Sequence, residues 1–76
     1  MLIRANTYYK LRNGEIVYIT HIIPPLVGFP RPENPVIGIG QKSGFMTWDE
    51  NGVYAKHSSY NIEKPISQKE VTNEQR

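Results

Sequence analysis

Cysteine is absent from all 76 residues, and with it go disulfide bridges, thiolate zinc sites and a thiol nucleophile. Histidine is scarce: His21 and His57 are the two in the chain, too few to close a structural metal site by themselves. No apolar run approaches the ~20 residues that a membrane-spanning helix requires, so no membrane association is expected. The opening Met1-Leu2-Ile3-Arg4 is too short and too soon charged to read as a secretory signal, which makes the cytoplasm the expected location. Charge of one sign is also in short supply. The formal net charge is +2, with Arg4, Lys10, Arg12, Arg31, Lys42 and Lys56 interleaved by Glu15, Glu33, Asp49 and Glu50. A dedicated duplex binder gathers its cations on one face or helix, and no such cluster stands in this sequence.

A chain of this length is one domain. A globule so small hides only about 60–65% of the surface its unfolded chain exposes. Domains of this size lean on staples, metals or a partner subunit. With disulfides and thiolate metal sites excluded, a homo-oligomer is the expectation.

What is present points to strands. Residues 8–23 are two β-rich runs joined at Asn13-Gly14, a pair that tolerates the positive φ of a two-residue hairpin turn. In the second arm Ile16, Tyr18, Thr20 and Ile22 alternate with Val17, Ile19, His21 and Ile23, so both faces are apolar, as in a strand covered on two sides. Pro24-Pro25 stops that arm, because proline has no N–H to give to a ladder. Five of the six prolines lie within residues 24–35, in a loop long for so small a domain and containing Leu26, Val27 and Phe29. Further strands are expected at Val36–Gly40, where Gly38 and Gly40 signal a bend, a bulge or a close backbone approach, at Phe45–Trp48, and at Val53–His57 after a tight turn at Asp49-Glu50-Asn51-Gly52. Residues 58–62 read equally as a short strand or one helical turn. The expected fold is all-β: a small five- to six-stranded curved antiparallel sheet or a Src-homology-type small barrel. Residues 1–62 form the domain, and residues 63–76 a polar, weakly structured tail.

Residues with chemistry in them are few. His57 adjoins Ser58 and Ser59, yet strand neighbours point to opposite faces and no carboxylate is spaced to orient either histidine, so a hydrolytic role ranks last and no catalytic residue is assigned. Asp49 and Glu50 lack the alternating ligand pattern of a calcium loop. Gly38-Ile39-Gly40 lacks the strand-to-helix context of a dinucleotide loop. No cofactor or metal is expected. The aromatics are more informative: five Tyr, two Phe and one Trp. Rings facing outward beside cations would stack bases and neutralise phosphates, whereas rings facing inward fill a core. Tyr9, Arg12, Trp48, Tyr54 and Lys56 are the ligand-binding candidates on the sheet. Phe29 and Arg31 are those on the proline-stiffened loop, where a guanidinium forks onto carboxylate or phosphate.

The ordered pattern Lys10-x-Arg12-Asn13-Gly14, Pro35-Val36-Ile37-Gly38, Trp48-x-x-x-Gly52-x-Tyr54 and Ser59-x-Asn61-Ile62 resembles a group of small, mostly uncharacterised phage and prophage proteins. Those open with a Tyr-x-x-Arg-Asp-Gly hairpin and close with a Ser-x-x-Asp-Leu-like stretch. The resemblance spans residues 8–62 and rests on turn and core residues, so it bears on fold more than on activity. Asn13 and Asn61 stand where that group more often has Asp, and the loop at 24–35 is long. The resemblance implies a non-enzymatic accessory protein in a bacterial host, occupying a host protein or sequestering a nucleotide immune signal at an oligomer interface. The alternative is a nucleic-acid-binding small barrel of the Src-homology or Tudor/KOW type, with affinity that falls steeply with salt.

Overall fold

The computed structural model describes residues 2–74. Five antiparallel strands, β1 (Thr7–Leu11), β2 (Ile16–Ile22), β3 (Val36–Gly40), β4 (Gly44–Trp48) and β5 (Ile62–Ile66), form one sheet in the order β4-β3-β2-β1-β5. A 3-10 turn at Ser58–Tyr60 precedes β5, and a short helix, α1 (Gln68–Glu74), follows it. The all-β expectation therefore holds, with an open curved sheet as its form. No helix among the described residues is long and apolar enough to cross a membrane.

The opening hairpin forms where Asn13-Gly14 places it, with a different turn. Leu11 N–H donates to Glu15 O at 2.8 Å and Gly14 N–H to Leu11 O at 2.9 Å, closing a three-residue loop in which Gly14 has φ +90° and Asn13 keeps a negative φ. The Asn13 Oδ1 accepts from Glu15 N–H at 2.9 Å. This is a type I turn followed by a left-handed glycine, the arrangement typical of three-residue loops. The chain then repeats the device. Gly52 N–H donates to Asp49 O at 2.9 Å, Asp49 N–H to Val53 O at 3.1 Å, and Gly52 has φ +81°. An Asn-Gly pair thus makes both turns, one residue longer than the two-residue form.

Two bulges bend the sheet. Between β2 and β3 the register passes from Ile19↔Gly38 to His21↔Ile37, leaving Thr20 as the extra residue. Between β1 and β5 it passes from Lys10↔Lys64 to Leu11↔Ile62, leaving Glu63. Each bulge re-aims the residues beyond it. The first breaks the simple alternation expected along β2: Ile22 packs against the cluster that holds Val17 and Ile19, while Thr20 and His21 are both exposed. The second lets Ile62 face the same core as Leu11 while Ile66 faces the opposite side with Tyr8.

Curvature brings the two ends of the sheet over one core. Trp48 and Met46 of β4 and Ile62 of β5 share a cluster with the central Val17 and Ile19, and Ile3, Tyr9, Leu11 and Val36 complete it. Two hydrogen bonds tie the ends: Trp48 Nε1–H to Tyr60 O at 2.8 Å and Ile62 N–H to Gly52 O at 2.8 Å. Tyr9 lies inside, only 2% exposed, with its hydroxyl accepting from Arg4 N–H at 2.8 Å. Tyr9→Phe keeps the ring but leaves that N–H without its acceptor. It is expected to lower stability by about 1 kcal/mol, read from the urea midpoint at unchanged slope.

The other face of the sheet carries a smaller cluster of Ile16, Ile66 and Val71, with Tyr8 against it. Here the structure departs from the tail expected at residues 63–76. Strand β5 runs through residue 66, and α1 starts on an N-cap: Ser67 Oγ accepts from Glu70 N–H at 3.2 Å. Ile66 before the cap and Val71 within the helix meet in the same cluster, a hydrophobic staple. Residues 75 and 76 of the expected tail lie outside the described residues.

The segment expected to be a strand at Val53–His57 is not one. After the single bond to Val53 O it leaves β4 without forming a ladder, and the fifth strand is supplied by residues 62–66 against β1 instead. The alternative left open at residues 58–62 resolves as the 3-10 turn at Ser58–Tyr60.

Candidate functional site

The seven residues expected to bind ligand do not converge. Tyr9 and Trp48 belong to the core, Trp48 being 0% exposed, so neither presents a ring for stacking. Their positions are dictated by the strand pairing: Tyr9 opposes Val17, and Trp48 opposes Val36, both inward residues. Arg12 is exposed on the first hairpin turn, where its backbone N–H donates to Asn61 O at 2.9 Å. Phe29 stands exposed on the long loop, in a turn closed by its own N–H to Leu26 O at 3.1 Å.

Arg31 is engaged within the chain. Its Nε–H donates to Ile23 O at 3.0 Å and an outer guanidinium nitrogen pairs with Glu50 at 2.8 Å. It therefore fastens the base of the long loop to the Asp49–Gly52 turn, assisted by Ile23 N–H to Pro35 O at 2.9 Å. Tyr54 and Lys56 are the two candidates that share a groove. With Asn34, Ala55, Phe45, Met46 and Thr47 they line a hollow of about 220 Å³ beside β4. Tyr54 is half-buried and leans on Trp48 and Tyr60, with centroids 6.5 and 5.3 Å away.

His57 meets Ser59 rather than an orienting acid. Its Nδ1 accepts from Ser59 N–H at 3.1 Å, and Ser59 Oγ lies 2.8 Å from the same nitrogen. Both contacts cap the 3-10 turn that follows. They sit on the exposed surface, and occupation of Nδ1 by the backbone donor is the work of a local cap. Among the described residues no three of His, Asp or Glu are grouped to hold a metal ion.

Glu15 is the most built polar feature, and sequence reasoning passed over it. Only 7% exposed, its carboxylate accepts from Lys42 N–H at 3.0 Å, Ser43 N–H at 2.8 Å and Ser43 Oγ–H at 2.8 Å. Gly40 provides the space, since a Cβ there would collide with the Glu15 carboxylate. That is the close approach expected at this glycine. All three donors belong to the β3–β4 turn, so the arrangement pins that turn to the first hairpin with both carboxylate oxygens engaged.

A further accessible feature is the outer face of the sheet. The pairings Ile66↔Tyr8, Tyr8↔Tyr18, Tyr18↔Ile39 and Ile39↔Phe45 place one large side chain from each of the five strands in a single cross-strand row. The Tyr8 and Tyr18 rings are 4.7 Å apart. Helix α1 covers one end of the row through Val71. The other end is open, with Ile39 55% and Phe45 73% exposed. Between the covered and open ends lies a hollow of about 310 Å³ lined chiefly by Tyr8, Ile16, Tyr18, Ile39 and Val71. Of the Tyr8-Tyr9 pair, the outward member is therefore Tyr8, and of β4 it is Phe45 rather than Trp48. No family model matches the chain, and no match was found among the curated proteins or the solved structures.

Proposed function

We propose that this is a non-enzymatic accessory protein of the phage type suggested by its turn pattern, acting in a bacterial cytoplasm by binding another protein through the outer face of its sheet. The observation that carries this reading is the five-strand row ending in exposed Ile39 and Phe45. Contiguous exposed apolar residues on a folded domain mark an interaction surface. A sheet supplies them on a rigid platform that loses little entropy on binding.

The nucleotide-sequestering role draws less support from the geometry. A phosphate needs free forked donors, and Arg31 is committed to Ile23 O and Glu50. Of the rings expected to stack on a base, Tyr9 and Trp48 are inside. The outer row is apolar instead, which fits a partner presenting aliphatic or aromatic side chains.

Two measurements test the proposal. A thermal-shift panel of linear and cyclic nucleotides and short oligonucleotides is expected to leave the melting temperature unchanged. A true nucleotide ligand at 100 times its Kd adds about 2.7 kcal/mol, a rise of roughly 10–20 °C for a domain this size, and such a rise overturns the reading in favour of sequestration. Oligonucleotide binding that collapses with salt overturns it in favour of nucleic acid. In the second measurement, a photoreactive benzophenone residue at Ile39 is expected to form discrete protein adducts in bacterial cells, while the same group at Leu26 does not.

A further inference from the structure

The two edges of the sheet are treated differently by the sequence. Strand β5 carries Glu63, Lys64 and Pro65 in its five residues, and charge and proline are the usual devices that stop an edge from pairing with another chain. Strand β4 reads Gly-Phe-Met-Thr-Trp, with no charge and no proline. Among the described residues its sole ladder partner is β3. The chain had the means to cover this edge, since residues 53–57 start back along β4 from the Asp49 N–H···Val53 O bond. They leave it instead, and the groove of about 220 Å³ between Phe45–Thr47 and Tyr54–Lys56 is the result.

We propose that β4 is the seam of a two-fold homodimer, in which the β4 strands of two copies pair antiparallel and join their sheets into one. Five residues at about 3.4 Å each give a seam of roughly 17 Å. Centring the dyad on Met46 pairs the whole strand: Gly44 faces Trp48 of the other copy, Phe45 faces Thr47, and Met46 faces its own equivalent. Phe45 and Thr47 lie on the outer face, so the dyad creates two aromatic–β-branched cross-strand pairs, a favourable combination. A second copy fits because the strand has no charge with which to select a complementary partner, and an uncharged strand meets itself without like-charge opposition. The interface is isologous and closes at two copies. It also sets two Phe45 rings beside the dyad, extending the outer row from one sheet into the next. This inference stands on the edge of β4 and shares Phe45 with the outer row.

Sedimentation equilibrium on the full chain is expected to give twice the 8.7 kDa chain mass. The variant F45K/T47K sets lysines opposite one another across the dyad at positions that are exposed or half-exposed in a single copy. It is expected to weaken the dimer at least about a hundredfold while keeping the wild-type circular dichroism. Because the chain has no cysteine, an equimolar mixture of F45C and T47C is expected to oxidise to a covalent heterodimer faster than either variant alone, which reads the register directly and decides the matter should the lysine variant not fold. A monomeric mass at about 0.1 mM wild-type protein, or a dimer that neither lysine substitution nor mixed-cysteine oxidation touches, overturns the proposal.

Discussion

Replacing Trp48 by alanine is expected to leave the chain largely unfolded in water. The indole is fully buried and fills the space between the last residue of β4 and the 3-10 turn, with Gly38 beneath it at a distance where a Cβ would meet Cζ3 at 3.1 Å. Truncating a buried tryptophan costs about 3–5 kcal/mol in lost transfer free energy and residual cavity. The substitution also leaves Tyr60 O without the Nε1–H donor that tied the two ends of the sheet, a further cost of about 1–3 kcal/mol, not additive with the first. A domain of 76 residues has roughly 4–11 kcal/mol in total at about 0.05–0.15 kcal/mol per residue, so the loss is comparable to the whole. Trp48→Phe retains a ring and loses the hydrogen bond, and is expected to stay folded with a deficit of about 2 kcal/mol. Urea titrations followed by far-ultraviolet circular dichroism distinguish the two. A Trp48→Ala protein within about 1 kcal/mol of wild type would show that the ends of the sheet are not held by this side chain.

The same residue shows how far the sequence could be read. Alternation identifies which residues of a strand share a face, and it correctly grouped Val17 with Ile19. It does not say which face is inward, because that depends on register, and register depends on turn length. The Asn13-Gly14 pair locates the first turn, and the two-residue loop it suggests is one residue shorter than the loop that forms. Tyr9 and Trp48, ligand-binding candidates by residue type, lie inside, and the outward row is Tyr8, Tyr18, Ile39 and Phe45. The two bulges add a second source of error, since a single extra residue at Thr20 or Glu63 reverses everything beyond it and leaves no composition signal. Residues 66–71 are a different case. Ser67-x-x-Glu70 between Ile66 and Val71 has the pattern of a capping box with its staple, legible in the sequence and outweighed by the polarity of its surroundings. Glu15 could not have been found locally. Its three donors come from residues 42 and 43, and only pairing β2 with β3 brings that turn to it.

Glu15 and Gly40 are expected to behave as one unit. Glu15→Ala removes the acceptor of three hydrogen bonds and strands the N–H groups of Lys42 and Ser43 in a partly buried turn, for an expected loss of about 2–3 kcal/mol. Glu15→Gln keeps an acceptor for the two backbone donors and lets the Ser43 hydroxyl rotate to receive, so it is expected to cost about 1 kcal/mol. Gly40→Ala is the larger insult for its size. Its methyl would occupy the place of the Glu15 carboxylate and sit 3.1 Å from Met46 Sδ, so the carboxylate must withdraw and the turn loses its anchor while the core is overpacked. The expected loss is about 3 kcal/mol. In the double variant the carboxylate is already gone and the methyl enters the space it left. The pair is therefore expected to be less destabilised than the sum of the singles by about 2 kcal/mol, a coupling of the kind that only contacting groups show. Strict additivity in that cycle would mean that Gly40 is required for some reason other than room for Glu15, and that the β3–β4 turn is held by the Gln41 N–H to Ile16 O bond instead.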